Sequence, residues 1–106
     1  MGINRFLVKV LTPCLLLMSS VVLAAETGNT LRGYAYSNDS YEQGYYQGYV
    51  VAVIESNVLK VCPPKNATLG QAALIVKKYM DDHPEELNLW ADEFILKAIT
   101  SVWACR

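Results

Sequence analysis

Few residues in this chain have side chains suited to chemistry. The single histidine, His83, stands in the string His83-Pro84-Glu85-Glu86, which evokes half of a zinc-protease helix. A catalytic zinc there needs a second imidazole one helical turn away, and the chain has no second histidine. Ser37, Ser40, Ser56 and Ser101 have no local partner arrangement that would activate a hydroxyl. Asp81, Asp82, Glu85 and Glu86 crowd around His83, but their spacing lacks the alternating oxygen ligands and loop glycine of a calcium loop. They read as a solvated surface or as a contact for a basic partner. Without a phosphate-cradling glycine loop or a nucleophile elbow either, the inventory predicts a binding protein with no catalytic residue, cofactor or metal.

The remaining reactive groups are three cysteines, Cys14, Cys62 and Cys105. Residues 1–24 read as a secretory signal peptide: Arg5 and Lys9 supply a positive start, Val10 to Leu23 is almost wholly apolar, and Val22-Leu23-Ala24 suits a cleavage site. The apolar run falls short of the ~20 residues a membrane span needs, and Pro13 interrupts it. Cys14 is expected to leave with this leader. Cys62 and Cys105 would then be free to bond in an oxidising compartment, closing a loop worth about 4 kcal/mol.

Residues 25–106 have the size of one small domain, whose core is marginal unless stapled. Once Arg5 and Lys9 are gone, seven basic residues face ten acidic ones, a balance that excludes nucleic acid and electrostatic membrane docking for the mature form.

The pattern predicts an all-α fold of three main helices. Residues 25–40 are polar and turn-rich, with at most a short helical turn around Leu31. Ser40 and Gln43 resemble a capping box opening a helix over about 41–59, with Tyr45, Tyr49, Ala52, Val53 and Ser56 as its inward stripe. Gly44 and Gly48 share a face of that helix, where a neighbouring helix or a second subunit is expected to pack closely. Cys62-Pro63-Pro64 stiffens the connector. Thr68 and Gln71 cap a second helix, about 69–81, burying Leu69, Ala72, Ala73, Val76, Tyr79 and Met80. A third is expected to start at Asn88 as N-cap and end near Trp103, with Ala91, Phe94, Ile95, Ala98, Ile99 and Val102 inside and Asp92 and Glu93 in its first turn. Trp90 and Trp103 are placed in or at the edge of the core.

Tyrosine is the unusual enrichment: six of seven lie between Tyr34 and Tyr49. Tyr45 and Tyr49 belong to the expected stripe. Tyr34, Tyr36, Tyr41 and Tyr46 cannot all share it, so some are exposed and available to an interface, while others pack partly buried. With them, the helix break supplies the remaining candidate partner contacts: Asp81, Asp82, His83, Glu85, Glu86 and Asn88.

The ordered set Gly48-Tyr49-Val50, Cys62-Pro63-Pro64, Thr68-x-x-Gln71, Val76-x-Lys78-Tyr79, His83-Pro84-Glu85, Ala91, Ala98 and Cys105 resembles the Rap/Tai immunity-protein family over about residues 30–105. The resemblance implies a small periplasmic α-helical protein, with Cys62 and Cys105 matching the family's pair. It implies as partner a peptidoglycan amidase effector delivered by type VI secretion, whose catalytic cleft the protein plugs, in some members as a homodimer. A periplasmic acid-stress chaperone of the HdeA type is the alternative of similar size, export and disulfide content.

Overall fold

The computed structural model describes residues 26–106; the expected signal peptide and Cys14 lie outside them. Four α-helices follow in order: α1 Gly28–Ala35, α2 Ser40–Glu55, α3 Leu69–Asp82 and α4 Ala91–Trp103, with a 3-10 turn Pro84–Glu86 between the last two. Each helix packs against the other three. The fold is all-α among the described residues, as expected, but with four helices where the sequence pattern suggested three.

The added helix is α1. Eight residues with two glycines make a poor helix in isolation, because nucleation is costly and few bonds follow it. Tertiary contacts hold it. Leu31 and Ala35 are fully buried, and the Thr27 side chain caps its start by accepting from the Thr30 N–H. Its first N–H groups leave the helix for another element: Gly28 donates to the Leu89 carbonyl at 2.9 Å and Asn29 to the Leu87 carbonyl at 2.8 Å. A side chain at position 28 would put its Cβ 2.8 Å from the Leu87 oxygen, so glycine is what permits this approach.

The same docking explains why α4 starts at Ala91 and not just after Asn88. Carbonyls on either side of Asn88 are turned toward α1, and Asn88 itself is exposed. The α4 N-terminus has no side-chain cap; the Ala91 N–H donates to the Glu26 carbonyl at 2.8 Å instead. Asp92 and Glu93 occupy its first turn, as expected.

In α2 the cap moves by one residue. Asp39 accepts from the Tyr41 N–H at 2.8 Å, while the Gln43 amide donates to the Ala35 and Ser37 carbonyls and so binds the α1–α2 turn. The helix stops at Glu55, short of 59, because Ser56 and Asn57 side chains bond back to the Ala52 and Val53 carbonyls. Its buried face is also rotated from the expected stripe. Tyr46, Val50 and Val53 face the core; Tyr45, Ala52 and Ser56 are exposed and Tyr49 is half-buried. Apolar and tyrosine residues surround this helix, so periodicity cannot choose its inner face. Tyr46, expected among the exposed candidates, is 1% exposed and donates its hydroxyl to the Ala73 carbonyl of α3 at 2.5 Å. Burial raises its pKa above the ordinary phenol value. Among the described residues nothing lies within 4 Å of a Cβ added at Gly44 or Gly48, so no described helix packs closely there.

Helix α3 follows the sequence closely. The Thr68–Gln71 capping box is formed in both directions, and Ala72, Ala73, Val76 and Met80 are buried. Leu69, in the first turn, is exposed, and Tyr79 is half-buried. In α4 the expected inner residues are buried except Val102, which lies in the final turn beyond the core. Trp90 is 56% exposed, while Trp103 packs partly buried against the core.

Two backbone bonds join the end of α4 to the loop after α2: Cys62 N–H to the Trp103 carbonyl at 2.8 Å and Cys105 N–H to the Lys60 carbonyl at 3.1 Å. The Cys62–Cys105 disulfide closes over them, with Cα atoms 4.9 Å apart and a sequence separation of 43. Reduction is therefore expected to lower the unfolding free energy by about 4 kcal/mol, measured by urea titration with and without reductant. Gly28→Ala is expected to cost about 1–3 kcal/mol in the same assay through overpacking against Leu87; Gly33→Ala, where nothing lies within 4 Å of the added Cβ, should show no such loss.

Candidate functional site

The expected contact residues divide between two regions of the molecule. One is a polar edge where the end of α3, the 3-10 turn and the middle of α4 meet. Tyr36, at the C-terminal end of α1, reaches this edge by donating its hydroxyl to both carboxylate oxygens of Asp81 at 2.8 Å. That bond raises its pKa above the ordinary phenol value. The Tyr36 ring also takes the Arg32 guanidinium at 4.8 Å and the Lys77 ammonium at 4.6 Å, cation–π contacts between α1 and α3. Asp82 pairs with Lys78 one turn back at 2.8 Å, and the Lys78 hydrogen bond lowers its pKa.

Glu86 collects the most partners. Its carboxylate accepts from the Lys97 ammonium and, at 2.6 Å, from the Tyr79 hydroxyl. The Lys97 bond first, then Tyr79, pull its pKa below the ordinary carboxylate value. Burial first and then the Glu86 bond push Tyr79 up to about 12. The Tyr79 ring lies edge-on to Phe94 and stacks on the His83 ring at 4.3 Å. His83 Nδ1 lies 3.1 Å from Glu85 and 3.4 Å from Glu86. The fold thus brings His83, Glu85 and Glu86 within 4.8 Å of one another, a three-ligand convergence that the sequence spacing did not reveal. Glu86 is already engaged by Lys97 and Tyr79, so the group is built as an ion-pair cluster. Ser101 shares a cleft of about 200 Å³ with His83 and Tyr79, but its hydroxyl is donated to the Ala98 carbonyl at 2.6 Å.

Acidic residues expected to face a partner also make contacts within the chain, while Asp81, Asp82 and Glu85 keep more than half of their side-chain surface exposed. Asp81, Asp82, Glu85 and Glu86 each hold a partner of their own, whereas Asn88 and Tyr41 are exposed.

The second region is aromatic. Tyr34 of α1 meets Tyr45 of α2 edge-to-face at 4.9 Å, and Tyr45 continues to Tyr49 at 6.0 Å. Tyr41, one turn earlier on α2, is 78% exposed. Spacing assigns Tyr45 and Tyr49 to the core; the packing of α2 leaves Tyr45 39% exposed and Tyr49 half-buried against the core.

Together these features define a small all-α domain, closed by one disulfide, whose polar side chains are used to brace helices. Residues 23–105 match the family model of the Rap1a immunity proteins. That is most of the chain, and it belongs to this family. No curated protein matches it. Membership implies a cognate effector as partner. No helix among the described residues is long and apolar enough to cross a membrane.

The Glu86 cluster has a pH signature. Its depressed pKa gives stabilisation that is present above the ordinary carboxylate value of 4.5 and lost as pH falls through the lowered value. Tyr79 works in the opposite range, its contribution being lost as pH rises from 10 toward about 12. Glu86→Gln is expected to be less stable than wild type at pH 7, with the gap narrowing by pH 3 in denaturant titrations. An unchanged gap at both pH values would show that the charge of Glu86 contributes nothing.

Proposed function

We propose that this protein is a periplasmic immunity protein that binds a type VI secretion peptidoglycan amidase and inhibits it by occluding the active-site cleft. The match to the Rap1a immunity family over residues 23–105 carries the reading. The amidase target and the cleft-blocking mode follow from the sequence resemblance. The disulfide suits an oxidising compartment, in keeping with the export signal read at the N-terminus.

Inhibition of this kind needs shape and rigidity and no reaction by the inhibitor. A domain whose helices all touch, whose α3 edge is cross-braced and whose C-terminus is covalently held loses little conformational freedom on binding. That reduces the ordering cost that otherwise weakens a small interface. Tyr34, Tyr36, Tyr41 and Asn88 are the candidate contacts with surface still available; Asp81, Asp82, His83, Glu85 and Glu86 would act chiefly by holding that surface in place. A homodimer remains part of the proposal as the stoichiometry of the inhibitory unit. The acid-stress chaperone has no comparable support.

The test is inhibition of a cysteine–histidine amidase encoded beside the gene. The purified protein is expected to form a stoichiometric complex with it, to stop peptidoglycan hydrolysis, and to protect cells exporting the amidase. Light scattering on the complex reads whether one or two copies take part. Absence of both binding and protection would sink the proposal.

A further inference from the structure

We infer that the tyrosine-lined face formed by α1, α2 and the start of α4 is a docking surface for a lysine- or arginine-bearing segment of the partner protein. This rests on the reading of the chain as an effector-binding protein and supplies the chemistry of the surface it would meet.

The case starts from how charge is distributed. The five acid–base pairs among the described residues, two of which are charged only when His83 is protonated, lie on the α3 edge or reach it from α1 and α4, and they use Asp81, Asp82, Glu85 and Glu86. Glu26 and Asp92 form no ion pair with any described residue. Both belong to the opposite region. Glu26 is fixed beside the start of α4 because its carbonyl accepts from the Ala91 N–H. Asp92 lines a cleft of about 300 Å³ together with Tyr49, Ala52, Ser56 and Asn57. The ladder Tyr34–Tyr45–Tyr49 runs along this region, and Tyr41 extends it into solvent. After burial, the negative charges of Glu26 and Asp92 contribute to raised pKa values at Tyr45 and Tyr49 respectively, which places them within electrostatic reach of the rings.

Carboxylates with no ion-pair partner among the described residues, beside the exposed Tyr41 and Tyr45 and the half-buried Tyr34 and Tyr49, are complementary to one kind of occupant. An ammonium or guanidinium gains from the ring faces and the carboxylates together. The chain already uses this pairing internally, where Arg32 and Lys77 lie against the Tyr36 ring beside Asp81. A second copy of this chain is disfavoured as occupant, because its ten acidic residues against seven basic ones after leader loss would bring like charge to the same face.

Two measurements test this. First, the isotope-labelled protein is titrated at low ionic strength with an acetylated tetra-lysine amide. The largest NMR shifts are expected at Tyr34, Tyr45, Tyr49 and Asp92, and they should be lost in the double variant Glu26→Gln, Asp92→Asn. Shifts centred on residues 81–86, or unchanged in the double variant, overturn the inference. Second, affinity for the neighbouring amidase is compared between wild type and the double variant. The expected result is about a tenfold loss, with a weaker salt dependence. Because Asp92 also favours the α4 N-terminus, Tyr41→Ala provides a second variant outside that helix, expected to weaken binding as well. Undiminished amidase binding by both variants overturns the inference and leaves the proposed function standing. No amidase binding by wild type, with the peptide still mapping to the tyrosine face, overturns the function and leaves the surface.

Discussion

Val61-Cys62 and Ala104-Cys105 are held together twice, by paired backbone hydrogen bonds and by the disulfide that follows them. This junction ties the loop leaving α2 to the end of α4, so α3 is enclosed in a covalent ring. A domain of this size has little apolar surface to bury. Closing the ring removes entropy from the unfolded chain. The core has then to align four short helices and need not also hold the two ends of the ring together. The same closure stiffens the surface offered to a partner.

A second brace works without covalent bonds. The beginning of α1 is bonded by its backbone to carbonyls of Leu87 and Leu89, while the Ala91 N–H at the start of α4 turns to Glu26. Each helix start is satisfied by the segment preceding the other. Tyr36, Arg32, Lys77 and Asp81 reinforce the contact between α1 and α3, and Tyr79, Glu86 and Lys97 reinforce that between α3 and α4. Polar groups that look like a recognition site in one dimension therefore also brace the helices.

Much of the architecture was legible in the chain. The Thr68–Gln71 cap, the inner face of α3 and nearly all of the inner face of α4 follow from spacing alone, because each helix carries a clear apolar stripe. The pairing of Cys62 with Cys105 followed from cysteine number and the expected export. Helix α2 was the failure. Its apolar and aromatic residues occupy every face, so a one-residue choice between Tyr45 and Tyr46 could not be made locally, and everything downstream of that choice rotated with it. Helix α1 was underestimated for a related reason: its stability comes from Leu31, Ala35 and backbone docking to a distant loop, none of which appears as local propensity.

By itself, the sequence determined the class of protein: a small, helical, disulfide-closed chain with no recognisable catalytic motif, similar in its ordered motifs to immunity proteins. Composition and spacing suffice for that because they act through local periodicity, capping and cysteine count. Only the tertiary structure decided which tyrosines are buried and which acidic residues find partners among the described residues. Those outcomes depend on contacts between residues far apart in the chain, such as Tyr46 with Ala73 and Tyr36 with Asp81, and no short-range pattern encodes them.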